Sequence, residues 1–258
     1  MKDKLYFLGI ALCAILCCIS VFQVISHYAN AQKYTRDFAE LVEIVEQSEE
    51  KKNNDKAVSE GEQTSALDRY QELFYQNPDM AGWISIEGTN VNYPVMHTPD
   101  NPDFYLKHSF AKEYSAYGVP YIAENCNPAE PSDNLLIYGH HIKGGKMFGA
   151  LVDYKEKRFY EEHKVIRFDT LTEIAEYEVV AVFKTTVYGD TGFPYYLFVN
   201  AEKKEDFDKY IKECKELAFY DTGVSAEYGD KLITLSTCEY SAENGRFVVV
   251  AKKIVESL

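Results

Sequence analysis

Three side chains able to carry acyl transfer stand at the ends of apolar runs. Cys238 closes the run KLITLSTC, and seven residues, EYSAENG, separate it from Arg246, which opens RFVVVAKKI. His140 follows Gly139 just past the run NLLIY. A thiolate attacks carbonyls well, a histidine carries protons near neutral pH, and a guanidinium supplies fixed positive charge for a developing oxyanion. If the two C-terminal runs pair as a hairpin, the thiol and the guanidinium reach the same end of one sheet.

Blander readings stand beside this one. A lone cysteine at a strand end is usually a small buried hydrophobe, and a lone arginine after a turn a solvated cap. His140 and His141 together raise the possibility of a metal pair completed by a distant carboxylate. Adjacent residues on an extended segment face opposite sides, which argues against it. Of the six cysteines, Cys13, Cys17 and Cys18 fall in an apolar N-terminal run and leave Cys126, Cys214 and Cys238 outside it. An odd number outside means at least one free thiol unless chains pair with each other. No C-x-x-C pair occurs, so a zinc ribbon and a thioredoxin-like motif are excluded.

The elements that must position these residues are legible in outline. Leu67, Tyr70, Leu73 and Phe74 mark a short amphipathic helix ending near Asn77-Pro78. The stretch GWISIEGTNVNYPVMH reads as a hairpin around Glu87-Gly88, and YGVPYIAE and NLLIYGH as strands. KMFGALVDY reads as a short helix, and KVIRFDT and EYEVVAVFKTTVY as strands. A long helix from about Glu202 to Ala218 has Phe207, Tyr210, Ile211, Cys214 and Leu217 on its buried face, which makes Cys214 a packing residue. Two apolar strands close the chain. Many strands with a helix between two of them predict a mainly β fold, a mixed or antiparallel barrel with helical insertions. The many tyrosines and phenylalanines suit such a core.

The N-terminus reads differently. From Leu5 to Ile25 no charge interrupts about 21 positions, enough for a helix to cross a ~30 Å hydrocarbon core. A cleaved signal has a shorter apolar core and a small-residue cleavage site, and no clean Ala-x-Ala follows here. A lipoprotein signal needs a small residue directly before its cysteine, and Leu12, Leu16 and Cys17 fill those places. Lys2 and Lys4 before the run favour a cytoplasmic N-terminus, giving a single-pass anchor in the cell membrane with the bulk of the protein outside. Phe38, Leu41, Val42 and Val45 then repeat at helical spacing, and the charged stretch from Glu46 to about Thr64 reads as a stalk that cannot fold alone. The expected division is an anchor over 1–27, a stalk over 28–66 and a catalytic domain over 67–258. The net charge of −14 excludes nucleic acid as a partner, because a polyanion is repelled.

The string TLSTC followed by Arg246 resembles the signature of the sortases, in which a T-L-x-T-C strand precedes an arginine opening the next strand. IYGHHIKGGKMFGAL resembles the segment carrying the sortase histidine, and GWISIEGTNVNYPVMH the opening hairpin of that fold. The long helix before the cysteine strand and the helices before the barrel resemble class B members. The likeness spans roughly Leu67 to Ile254.

The resemblance implies an eight-stranded sortase-type β-barrel and transpeptidation. Cys238 attacks the carbonyl of a Thr in the C-terminal sorting motif of a surface protein and forms a thioacyl enzyme. His140 protonates the leaving amine, and Arg246 holds the substrate and its oxyanion. An amine of a cell-wall precursor then resolves the intermediate, or a lysine on another protein if the enzyme polymerises pilins. His140 is preferred because the family's histidine directly follows the glycine, leaving His141 an orienting neighbour. Tyr138, Ser236 and Glu239 are candidates to line the groove, and 185–220 the region that reads the motif, its aromatic content suiting either a groove or packing. Some class B members carry an aspartate two places after the cysteine, where Tyr240 stands here, so a role for it does not transfer. A cysteine peptidase acting on wall peptides and a non-catalytic surface-binding protein on the same fold are the alternatives. No cofactor or metal is indicated, beyond weak calcium binding at some exposed acidic cluster.

Overall fold

The structure, a computed structural model, describes residues 2–56, 66–188 and 192–255. It divides into two compact units, Met1–Glu43 and Ile44–Leu258. Helix α1 (Lys2–Lys56) contains the one stretch among the described residues that is long and apolar enough to cross a membrane. Leu12, Ile15, Leu16, Phe22, Val24 and Ile25 are all exposed on it. Phe38, Leu41, Val42 and Val45 lie in the same helix, as their spacing predicts. The charged stretch expected to form a stalk is helical up to Lys56, and there Glu49 meets Arg69 at 2.8 Å. The rest of that stretch, 57–64, lies outside the described residues.

In the second unit α2 (Ala66–Gln76) ends as expected before Pro78. Strands β1 (Met80–Ser85) and β2 (Asn92–Met96) form the expected antiparallel hairpin, with Gly88 at φ 75° in its turn. Then come β3 (Tyr121–Ile122), β4 (Asn134–Tyr138) and a small separate hairpin of β5 (His141–Ile142) and β6 (Lys146–Met147). The helix expected at KMFGALVDY is a 3₁₀ helix over Phe148–Lys155, and α3 (Lys157–Glu162) follows it. Strands β7 (Val165–Thr170) and β8 (Glu176–Thr186), helix α4 (Lys204–Leu217), and strands β9 (Leu232–Glu239) and β10 (Gly245–Lys253) complete the chain.

Eight strands close a barrel in the order β1-β2-β3-β4-β9-β10-β8-β7, with β1 returning to β7. Neighbours are antiparallel except at β2–β3 and β4–β9. The apolar run Phe247–Ala251 is buried on both faces, which is why it lacks the alternation of a half-exposed strand. Each such side chain contributes about 1.5–3 kcal/mol of apolar burial. On α4, Phe207, Tyr210, Ile211 and Cys214 are buried, whereas Leu217 is 43% exposed. Leu217 is the last residue of the helix, and it is Phe219, stacked on Phe247, that packs on the barrel there.

A buried carboxylate ties α2 to the barrel. Asp169 on β7 is fully buried and accepts hydrogen bonds from Tyr70 Oη at 2.6 Å and Arg167 Nε at 3.0 Å. Tyr70 also stacks on Trp83, the sole tryptophan, with centroids 5.9 Å apart. Removing the donor leaves a buried charge short of a partner, so Tyr70→Phe should cost about 1–3 kcal/mol. Urea unfolding followed by Trp83 fluorescence measures it.

Asp133, just before β4, accepts from Lys231 Nζ at 2.8 Å and from the Ala201 N–H at 3.0 Å. Burial acts upward on this carboxyl, but the bonds from Lys231 and Ala201 outweigh it and hold it below its usual value of 3.8. A depressed folded value contributes stability that is complete above the unfolded value and fades as pH falls through the folded one. Asp133→Asn should therefore lower the urea midpoint at neutral pH, and the difference from wild type should shrink towards roughly pH 3.

Candidate active site

β9 carries the site. It pairs antiparallel with β10 so that Cys238 sits opposite Arg246, and both side chains leave the same face. β8 flanks β10 on the other side, with Thr185 opposite Arg246. β4 runs parallel to β9 with Tyr138 beside Ser236, and the Gly139 N–H extends the ladder to the Ser236 carbonyl at 3.1 Å. Two further steps in that register reach His140 and Cys238. A hairpin carrying Cys238 and Arg246 and a strand leading to the distant His140 thus end together on three adjacent strands.

At Gly139 the chain leaves β4. A Cβ there would lie 2.7 Å from the Phe148 ring, so only glycine lets that ring pack against the departing backbone. The Phe148 N–H donates to the His140 carbonyl at 3.0 Å. His140 Nε2 lies 2.7 Å from the Leu106 carbonyl. A carbonyl only accepts, so Nε2 holds a proton there and Nδ1 is left as the nitrogen that gains and loses one.

His141 has a different task. Its Nδ1 donates to the Cys238 carbonyl at 3.1 Å, and its ring packs 5.2 Å from that of Tyr240. A regular parallel ladder would offer that carbonyl the backbone N–H of residue 141. Here the imidazole supplies the bond instead. The two histidines are thereby separated by their partners: His140 is held by its own backbone and Leu106, while His141 holds the backbone of Cys238.

The other candidates are committed to partners. Ser236 is buried and its Oγ is 2.6 Å from Tyr195 Oη, whose own ionisation burial pushes up to about 12. Glu239 receives Lys184 Nζ at 2.7 Å and the Ser241 N–H at 3.0 Å. Burial acts upward on Glu239, and the Lys184 and Ser241 bonds overcome it and keep the carboxyl below its usual range. As the next residue on the strand, Glu239 faces away from the thiol. Tyr138 is half-buried, its ring 5.7 Å from Tyr121, and burial pushes its hydroxyl upward.

The face bearing Thr234, Ser236 and Cys238 is covered along most of its length. Tyr210 of α4 meets Thr234 at 3.0 Å, Tyr195 meets Ser236, and Phe198 stacks on Tyr210 with centroids 4.1 Å apart. These aromatics of the 185–220 region are packing. Leu197, 69% exposed, and Tyr188, 80% exposed, are not. Cys238 emerges half-buried at the uncovered end. Cys126 and Cys214 are buried, and burial pushes both thiols up, that of Cys126 to about 11. No group of three or more metal-ligating side chains occurs among the described residues.

Two features here had no sequence signal. The Leu106 carbonyl is a backbone group at the end of a 3₁₀ helix (Phe104–Leu106), and nothing in its side chain announces it. The second is Met147, buried, at φ 51° and ψ −128°, with its N–H donated to Tyr93 Oη at 3.0 Å. A residue with a Cβ in that region of backbone space stores of order 1–3 kcal/mol of strain.

A sequence model described as the sortase domain matches residues 84–254. The chain is 34% identical to sortase B of Staphylococcus aureus over 188 residues, covering 72% of this chain and 75% of that one. It is also 34% identical to sortase B of Listeria monocytogenes over 192 residues, covering 73% and 75%. The solved Staphylococcus aureus sortase B–substrate complex superposes with a TM-score of 0.73 at 28% identity, covering 86% of this chain and 98% of that one.

The two histidines should separate in mutants. His140→Ala is expected to lower the rate of acyl transfer by about 10²–10⁴-fold, the usual contribution of a positioned acid/base. His141→Ala, which loosens a carbonyl and leaves the proton carrier intact, should lower it by only about tenfold. Rates with a fixed acyl donor and amine decide the order, and the reverse order would exchange the two roles.

Proposed function

The chain belongs to the sortase family as a class B cysteine transpeptidase, and from that premise we propose how its residues divide the work. The placement of Arg246 opposite Cys238, with His140 brought alongside by β4, is the observation that carries the reading. The Cys238 thiolate adds to the carbonyl carbon that follows a Thr side chain in a C-terminal sorting motif. Negative charge then grows on the carbonyl oxygen, where the Arg246 guanidinium offers fixed donors.

Collapse of the adduct breaks the C–N bond. The departing amine takes its proton from His140 Nδ1, the nitrogen not engaged with Leu106. The thioester that remains is attacked by an incoming amine, which gives its proton back to His140 as the new amide forms and the thiolate leaves. The imidazole and the thiolate thus return to their starting states, and no net oxidant, reductant or cofactor enters the balance.

The setting follows from the N-terminus. The apolar part of α1 suits a single-pass anchor with Lys2 and Lys4 on the cytoplasmic side, which leaves the barrel facing the wall. Surface proteins bearing a sorting motif are then the acyl donors, and an amine of a cell-wall precursor is the acceptor. The covalent product anchors the surface protein.

The test is mass spectrometry of the protein incubated with a panel of sorting-motif peptides and several amines. A thioacyl adduct on the peptide containing Cys238 should form, pass to an amine, and be absent in Cys238→Ala. An adduct that yields only free acid, whatever amine is supplied, would make this a peptidase. Transfer that survives in Cys238→Ala would overturn the assignment of the nucleophile.

A further inference from the structure

Met147 is strained and buried, yet its burial does not demand the strain. A methionine side chain fills a core pocket equally well from an ordinary backbone conformation, being unbranched and adaptable. What the positive φ does is turn the chain sharply between β6 and the 3₁₀ helix that begins at Phe148. That turn brings the Phe148 N–H to the His140 carbonyl at 3.0 Å. The Met147 N–H, one residue earlier, is held by Tyr93 Oη on β2 at 3.0 Å.

The surroundings leave the segment no slack. A Cβ on Gly149 would lie 2.2 Å from the Ile142 carbonyl, and one on Gly139 would meet the Phe148 ring. β5 and β6 pair His141 with Met147, so the strained residue is also the ladder partner of the histidine that holds Cys238. Strained backbone persists only where the structure around it over-determines it, and such residues gather at sites that need pre-organisation.

We infer that Tyr93 and Met147 are positioning residues for His140: the tyrosine hydroxyl holds the strained Met147 turn, which fixes the Phe148 N–H against the His140 carbonyl. The inference rests on the reading of His140 as the proton carrier.

Met147→Ala and Met147→Gly both remove the thioether side chain, but only alanine keeps the Cβ that makes the backbone strained. Glycine should therefore melt higher than alanine. Glycine also adopts the turn at positive φ without help from Tyr93, so it should keep the Phe148 N–H in place. With full-length protein in detergent micelles, the rate of Cys238 alkylation by iodoacetamide is followed against pH by mass spectrometry of its peptide. Wild type, His140→Ala, Tyr93→Phe, Met147→Gly and the Tyr93→Phe/Met147→Gly double variant are compared.

The expected result is that Tyr93→Phe displaces the pH profile towards that of His140→Ala, while Met147→Gly, which adopts the turn without strain, stays near wild type and restores the profile when combined with Tyr93→Phe. Transfer kcat in Tyr93→Phe should fall about tenfold with KM for the peptide unchanged, and recover in the Tyr93→Phe/Met147→Gly double variant. Recovery through a glycine that cannot replace the lost hydroxyl is a result that packing alone does not produce. If His140→Ala shifts the profile and Tyr93→Phe does not, or Met147→Gly fails to restore it, the inference is overturned and the assignment of His140 stands. If His140→Ala leaves the profile unmoved, that assignment falls and takes the inference with it.

Discussion

The register of β9 is the constraint on which the rest of the structure depends. Along a strand the side chains alternate, so a slip of one residue against β10 or β4 would turn Cys238 away from Arg246 and send Thr237 in its place. The register is secured from both faces. Ile233 and Leu235 are buried on one side, while the hydroxyls of Thr234 and Ser236 find Asn134, Tyr210 and Tyr195 on the other. A slipped strand would bury hydroxyls without partners and lose the apolar contacts at the same time. Specific polar pairing thus fixes which residue stands opposite Arg246.

The same strand explains why the site is at an end and not in the middle. Within the ladder every backbone group is taken and each polar side chain has a buried partner. Chemistry requires side chains with unsatisfied capacity, and these occur only where regular pairing stops. At Gly139 β4 departs, and the Thr237 hydroxyl and the His141 imidazole take over the bonds that backbone would have made. The ladder is replaced there by side-chain bonds, which holds Cys238 firmly while leaving its thiol half-exposed.

Much of this was legible in the sequence. The apolar runs around β8, β9 and β10 are long enough to announce themselves, and the Cys238–Arg246 hairpin follows from two runs and a short turn. β3 was placed within a longer run, but the structure keeps only Tyr121–Ile122 as strand, because pairing there extends over just two residues. The β5–β6 hairpin is equally short and sits where the sequence reads as loop and helix. Parallel pairing of β4 with β9 is a contact across nearly the whole second half of the chain, and no local pattern encodes it. Adjacent histidines look alike in a string, and only their partners, Leu106 for one and Cys238 for the other, tell them apart.

Net charge and site chemistry are separate matters in this protein. A chain at −14 might be thought hostile to a thiolate, since added negative charge opposes ionisation. Yet charges beyond about 8–10 Å are largely screened in physiological salt, so the distant carboxylates count for little. The nearest acidic side chain along the strand, Glu239, faces the other way and is paired with Lys184. Arg246 lies directly across from Cys238, and Tyr195 lies near enough to feel the charge of both. What governs the nucleophile is this first layer of neighbours, and its composition is set by the pairing of three strands. An acidic surface and a locally cationic site therefore coexist without conflict.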